Sequence, residues 1–283
     1  MFAPLRGYDI YYRSIGEGVP VIAIHGYGID HHVMYGSHEP VFRRRQGYRR
    51  IYFDLPGMGR SRGGMPRDSD QMLQVVQDFI DHVIPGQRFL LTGASYGSYL
   101  ARGIVHHWPE RVLGLMLPVP LIVAQRSKRA LPPRTIIKQD ADFLATLPKG
   151  ERDEFASTAT VLDEAVWKRF QKDVMPGVQA VDQGCLAEFQ ATGYAFSFEV
   201  DELEAPFPAP ALFLMGRQDS AVGYADALRI IENYPRGTVV VLDRASHALE
   251  MEQPELFNRL VQEWLDRVEE WRGMEESRWI AQP

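Results

Sequence analysis

Cysteine occurs once in this chain of 283 residues, at Cys185, so no intrachain disulfide can form and the fold must be held by burial alone. The first eight residues, Met1 to Tyr8, have neither a basic start nor an apolar stretch of the kind an export signal needs. Both features fit a cytoplasmic location. Long hydrophobic runs are missing as well. The longest, residues 112–124, is interrupted by Gly114, Pro118 and Pro120 and falls short of the roughly 18–20 residues that cross a bilayer. It reads as a buried strand entering a loop, and no membrane partner is expected. Positive charge is not in excess, with 31 Lys and Arg against 37 Asp and Glu for a net charge of -6. The chain therefore has no global attraction to nucleic acid or anionic lipid. The cluster Arg43, Arg44, Arg45 reads as a solvated loop face.

Cofactor and metal signatures are also missing. Gly57-Met58-Gly59 would need glycine at position 62, where Arg62 stands, and Gly26-Tyr27-Gly28 would need it where His31 stands. Neither completes a dinucleotide fingerprint, and there is no phosphate-binding P-loop string. Among eight histidines, His31-His32 and His106-His107 are adjacent, which does not give the i, i+4 pair of a helical zinc site. No cofactor and no metal are expected.

What is present is enough apolar residue, 45% of the chain, for one large domain with an insertion. Strand-like runs at 8–14, 19–24, 50–54, 88–92 and 112–117 alternate with turns and helical stretches, the rhythm of an α/β protein. After Ser69, read as an N-cap, the apolar positions Met72, Leu73, Val75, Val76, Phe79, Ile80 and Val83 mark one helix face that stops at Pro85-Gly86. A second helix is expected over 97–107. From about Pro120 to Pro206 the strand pattern lapses and 141–147, 151–174 and 183–192 read as helical. Strands resume at 211–215 and 238–242, separated by a helix over 224–234 and followed by a last helix after Pro254. This divides the chain into a core, 1–119 and 207–283, and a helical cap, 120–206. The acidic tail from Glu269 to Trp279 is open to two readings, an extension of the last helix or a contact in a homodimer.

The chemistry centres on Gly93-Ala94-Ser95-Tyr96-Gly97, a Gly-x-Ser-x-Gly between a predicted strand and a predicted helix. A turn that sharp needs small residues at Gly93 and Gly97 and leaves the serine hydroxyl exposed at a helix N-terminus. A serine hydroxyl needs a general base, and the base needs an acid to orient it. Asp219 follows one predicted strand and His247 the next. Taken singly, each reads as an ordinary loop residue; in the order Ser95, Asp219, His247 they form a candidate triad. Oxyanion donors are expected from the backbone N–H groups of Tyr96 and of Tyr27, the latter in the loop His25-Gly26-Tyr27-Gly28 after a buried strand, where Gly26 and Gly28 permit close approach.

Together with residues 54–61, Gly216-Arg217-Gln218-Asp219 and Ser246-His247 followed by Glu250 and Gln253-Pro254-Glu255, these motifs resemble the α/β-hydrolase family in its cap-bearing branch. The resemblance implies a mostly parallel eight-stranded sheet flanked by helices, a triad at its carboxyl edge and a helical cap inserted after strand 6. Ser95 argues against the family's dehalogenases and epoxide hydrolases, which use aspartate there. Tyr96-Gly97-Ser98 departs from the Met-Gly-Gly of many carbon–carbon hydrolases. Some members of the family carry the acid after the sixth strand instead, but no carboxylate lies between Gly114 and Gln125, so the resemblance favours Asp219 as the acid.

The expected activity is hydrolysis of a carboxylic ester or related acyl bond in a small, mainly apolar substrate. Carbon–carbon cleavage of a ring-fission product and proline iminopeptidase action are the alternatives, with a non-catalytic ligand-binding protein behind them. An iminopeptidase would draw a cap carboxylate from Glu188, Glu199, Asp201 or Glu202. The cap's apolar residues, among them Phe143, Phe155, Trp167, Phe170, Leu186, Phe189, Tyr194 and Phe196, are expected mostly in the cap's own core.

Overall fold

The computed structural model describes residues 1–280, with side chains through Met274. Two antiparallel strands, β1 (Phe2–Leu5) and β2 (Tyr8–Ile15), lead into β3 (Val19–Ile24), helix α1 (His32–Phe42) and β4 (Tyr48–Phe53). The chain continues through α2 (Ser69–Val83), β5 (Phe89–Gly93), α3 (Tyr96–His107) and β6 (Val112–Pro118). An insertion follows, with β7 (Lys138–Gln139), α4 (Ala141–Thr146), α5 (Lys149–Thr158), β8 (Val161–Leu162), α6 (Glu164–Asp173), α7 (Met175–Ala180) and α8 (Gln183–Thr192). The sheet resumes with β9 (Ala211–Gly216) and β10 (Gly237–Leu242), and the chain ends in α9 (Leu249–Glu252) and α10 (Pro254–Ile280). The eight-stranded sheet has the order β1-β2-β4-β3-β5-β6-β9-β10 and is parallel from β4 onward. The tail extends the last helix, while the side chain of Trp279 lies outside those described.

Strands β5, β6 and β9 are buried along their whole length, and their sequences are accordingly continuous apolar runs rather than alternating ones. Register is what positions the site. Ile24 pairs with Gly93 at the end of β3 and β5, and Gly216 with Leu242 at the end of β9 and β10. The loops leaving these four strands therefore emerge at one edge of the sheet. Strand β3 lies between β4 and β5, so successive crossovers leave it in opposite directions, the place where open α/β sheets form a crevice.

Several local expectations are corrected. The N-cap of α2 is Asp68, whose carboxylate accepts from the Gln71 N–H at 2.9 Å, and Ser69 is instead hydrogen-bonded to the Tyr96 hydroxyl at 2.8 Å. The helix expected over 151–174 is interrupted at Ala159, and Asp163 caps a new one by accepting from Val166 at 3.1 Å. The helix expected over 224–234 is a pair of 3-10 turns, Asp226–Arg229 and Ile231–Asn233. Pro235 directly behind holds Tyr234 out of the helical region, at φ -128 and ψ 71.

Strand β1 and helix α1 give no clear signal in the sequence. In α1 the buried side mixes Ser37, His38 and Glu39 with Val33, Met34 and Val41, which leaves no apolar stripe to read. Glu39 is tolerated there because Arg50 meets both its oxygens at 3.0 Å and the Tyr52 hydroxyl donates at 2.8 Å. Among the described residues no helix is long and apolar enough to cross a membrane.

Candidate active site

Ser95 stands between β5 and α3 at φ 52 and ψ -119, a conformation L residues rarely adopt. The turn is held by hydrogen bonds from Ala94 N–H to Ile24 O at 3.0 Å, Ser95 N–H to Pro118 O at 3.2 Å and Gly97 N–H to Ala94 O at 2.8 Å. Both glycines are required by contact rather than by dihedral angle. A Cβ on Gly93 would lie 2.2 Å from the Gly97 carbonyl oxygen, and one on Gly97 would lie 2.2 Å from that of Ile24.

The Ser95 hydroxyl lies 3.0 Å from His247 Nε2, and His247 Nδ1 lies 2.8 Å from Asp219 Oδ2. A carboxylate can only accept, so Nδ1 carries the proton and Nε2 presents its lone pair to the serine O–H. Asp219 is fully buried, and its other oxygen accepts from the amides of Ala221 and Val222 at 2.8 and 3.0 Å. Burial opposes a charged imidazole at His247, but the Asp219 charge and hydrogen bond outweigh it and the pKa rises above the ordinary 6.5. The arrangement thus supports a base that gains a proton readily.

The loop after β3 faces the elbow. Gly26 lies so close that a Cβ there would be 3.3 Å from the Ser95 Cβ, and Gly28 has φ +73. His25 is fully buried, where the loss of solvation lowers its pKa. Its Nδ1 is 2.7 Å from the Gly26 carbonyl and its Nε2 accepts from the Leu55 N–H at 2.8 Å, so the neutral ring pins the loop. The backbone N–H groups of Tyr27 and Tyr96 donate to no acceptor among the described residues. Two unpaired donors on the loops flanking Ser95 suit a developing oxyanion.

Further along the first half of the chain, Asp54 accepts from the His31 amide at 2.9 Å and the Arg60 amide at 2.8 Å, which makes residues 54–61 a structural turn. The Arg60 guanidinium lies over the Tyr11 ring at 4.1 Å. Asp30, His31 and His32 bring possible ligand atoms within 4.8 Å of one another. The Nδ1 atoms there already meet carboxylates, His31 on Asp54 at 2.7 Å and His32 on Asp30 at 2.9 Å.

Ser95 and His247 open onto a cavity of about 370 Å³ between the sheet edge and the insertion. Of the apolar cap residues singled out from the sequence, only Phe170 and Leu186 line it. None of the four proposed carboxylates does. Glu188 lines a separate depression with Met65 and Arg67, Asp201 pairs with Arg102, and Glu199 and Glu202 are exposed. The carboxylates that do line the cavity are Glu154 of α5 and Glu250 of α9. Glu250 was visible in the sequence only as part of the motif after His247. Glu154 carried no signal, because a surface glutamate on a short helix is ordinary.

The same motif holds a second acid, Glu252, with a structural task. Its carboxylate accepts from Ser246 N–H at 2.6 Å, Ser246 Oγ at 2.9 Å and the amide of Val161 at 2.9 Å. It thereby fastens the His247 loop to the insertion.

Residues 21–260 match the alpha/beta hydrolase family. The chain is 26% identical over 261 residues to a pimeloyl-[acyl-carrier protein] methyl ester esterase of Aeromonas hydrophila subsp. hydrophila, covering 89% of this chain and 98% of that one. It is 27% identical over 266 residues to a 2-hydroxy-6-oxononadienedioate/2-hydroxy-6-oxononatrienedioate hydrolase of Burkholderia vietnamiensis, with 91% of each covered. Among solved structures, an alpha/beta superfamily hydrolase from Oenococcus oeni PSU-1 superposes with a TM-score of 0.84 at 33% identity, over 92% of this chain and 96% of that one. A match over most of the chain, on an eight-stranded sheet of this order, makes the protein a hydrolase and a member of the alpha/beta hydrolase family.

Proposed function

We propose that this hydrolase cleaves a carboxylic ester or related acyl bond of a small, mainly apolar substrate through an acyl-enzyme, with residues 120–206 serving as the cap over the site. The observation that carries the reading is the unbroken hydrogen-bonded series Ser95, His247, Asp219 opening on a cavity between the sheet edge and the insertion. In this reading Ser95 Oγ attacks the carbonyl carbon while its proton passes to His247 Nε2. The tetrahedral oxyanion takes the Tyr27 and Tyr96 amides. Collapse breaks the bond to the alcohol oxygen, which leaves with the proton from His247. Water, deprotonated by the same nitrogen, then releases the acid and regenerates Ser95. Asp219 orients the ring and offsets the imidazolium charge.

Carbon–carbon cleavage uses the same three residues, and the Burkholderia relative is named for a dioate substrate. The cavity here is lined by Glu154 and Glu250 and by no lysine or arginine. Above pH 7, where Glu250 is ionised although burial raises its pKa to about 7, the two carboxylates repel a dianion, which favours the ester reading.

The test is turnover of an activated short-chain ester by the wild type and by Ser95→Ala, together with fluorophosphonate labelling located by peptide mass spectrometry. Expected are an adduct on Ser95 that His247→Ala abolishes, and a loss on the order of 10⁴-fold or more in Ser95→Ala. Full turnover by Ser95→Ala would overturn the reading.

A further inference from the structure

Two glutamates stand two residues apart on α9 and are treated in opposite ways. Glu252 accepts from amides and a hydroxyl on the His247 loop and β8. Glu250 is only 8% exposed, yet its Oε2 has no hydrogen-bond partner among the described residues. A buried carboxylate oxygen left without a donor costs free energy, and native chains rarely keep one without a use. This one lines the cavity that holds Ser95 and His247.

The surroundings state what kind of partner is missing. The strongest positive charge acting on Glu250 is that of Arg169 of α6. Arg169 spends its Nε on Asp173 at 2.6 Å, its Nη2 is buried without a partner among the described residues, no hydrogen bond joins it to Glu250 Oε2, and it does not line the cavity. His247 and Glu252 are the other charged neighbours. At the exposed side of the same cavity stands Glu154, so both charged side chains on the wall, apart from the imidazole, are acids. The rest of the wall includes Gln183 and Gln190 beside apolar groups such as Phe170 and Val174. Burial raises the Glu250 pKa to about 7, so above neutrality this unpartnered acid is ionised and, with the acid at the mouth, attracts a cation and repels an anion.

We infer that Glu250 is a specificity-determining residue that receives a protonated amine on the substrate, so that the enzyme prefers esters carrying an ammonium group over their neutral isosteres. The inference rests on the serine hydrolase reading above and narrows its substrate class. The ammonium N–H donates to Oε2, supplying the charge-assisted hydrogen bond that the fold leaves unmade.

The test compares matched esters at about pH 8, where a tertiary amine is still largely protonated. One pair carries the amine on the alcohol side, dimethylaminoethyl butyrate, and the other on the acyl side, ethyl dimethylaminobutanoate. Each is set against the carbon isostere in which CH replaces N. The expected result is a kcat/KM preference of about tenfold or more for the cationic ester in at least one pair, falling toward parity in Glu250→Gln. Wild-type parity or a neutral preference in both pairs overturns the inference without any need for the variant. A cationic preference that Glu250→Gln fully retains overturns it too. Labelling of Ser95 by fluorophosphonate separates the two levels: an adduct together with parity removes only the ammonium preference, whereas no adduct and no turnover of any ester removes the hydrolase reading with it.

Discussion

The Tyr27 hydroxyl donates to the main-chain carbonyl of Leu186 at 2.6 Å, tying the loop that carries a proposed oxyanion donor to helix α8 of the insertion. Around that bond the Tyr27 ring meets Tyr96, Phe189 and Tyr194 at centroid distances of 5.4, 5.7 and 5.2 Å. Loop, elbow and α8 are thus packed as one aromatic unit, and the hydroxyl is its only bond to the α8 backbone among the described contacts of Tyr27. Removing one such hydrogen bond costs about 1 kcal/mol. Tyr27→Phe is expected to lower the melting temperature by about 2–4 °C and to speed amide exchange in α8. Unchanged exchange there, with the ring retained, would show that the ring contacts alone hold α8.

The pH profile follows from the sign of the His247 shift. A general base works only unprotonated, and Asp219 holds the His247 pKa above 6.5 in spite of burial. The rate on a neutral ester should therefore rise with pH through a midpoint above 6.5, not below it. In Asp219→Asn the charge is gone and burial prevails, so the midpoint should fall below that value while kcat drops by about 10⁴-fold. A midpoint that stays in place in Asp219→Asn would mean that another carboxylate holds the imidazole.

The hydrogen-bonded grouping of Ser95, His247 and Asp219 could be read from the sequence because each residue follows a strand end and lies in its own short motif, so linear order stands in for geometry. Helix α2 was equally legible, since Met72, Val76, Phe79 and Ile80 repeat with the helix. What the residues could not reveal depends on who packs against whom. Glu250 and Glu252 look alike in the sequence; only the chain brought up from β8 and Ser246 makes one a fastening and leaves the other unpartnered. In the same way α1 hides because Glu39 is buried by courtesy of Arg50, which lies 11 residues away in strand β4. None of the four carboxylates named for an iminopeptidase lines the cavity, because nothing local in the sequence says which residues of the insertion face it.

Gly97 tests how closely elbow and sheet are fitted. An added Cβ meets two backbone atoms, the carbonyl oxygens of Ile24 at 2.2 Å and His25 at 2.6 Å, neither of which can rotate away. Gly97→Ala is expected to destabilise the protein by about 3 kcal/mol or more and to move the oxyanion loop. Gly150 in α5 is the control, with nothing within 4 Å of its added Cβ. Gly150→Ala should stabilise by about 0.5–1 kcal/mol through helix propensity. Urea unfolding of both variants checks the pair, and similar effects at the two sites would sink the packing argument.

The backbone of Ser95, the proposed nucleophile, gives a last prediction, in which stability and activity move apart. Ser95 at φ 52 and ψ -119 pays a conformational penalty of about 1–3 kcal/mol. Ser95→Ala removes the hydroxyl and keeps the strain, because alanine has the same Cβ. Ser95→Gly removes both, at the cost of about 0.4–1 kcal/mol for the freer unfolded chain. Both variants should be inactive, yet Ser95→Gly should unfold at higher urea than Ser95→Ala by about 1 kcal/mol in free energy. Equal stabilities would mean that the surrounding hydrogen bonds from Ala94, Ser95 and Gly97 merely accommodate this conformation instead of enforcing it. A more stable glycine variant would locate the stored strain in the backbone of the proposed nucleophile, whose hydroxyl meets the His247 imidazole.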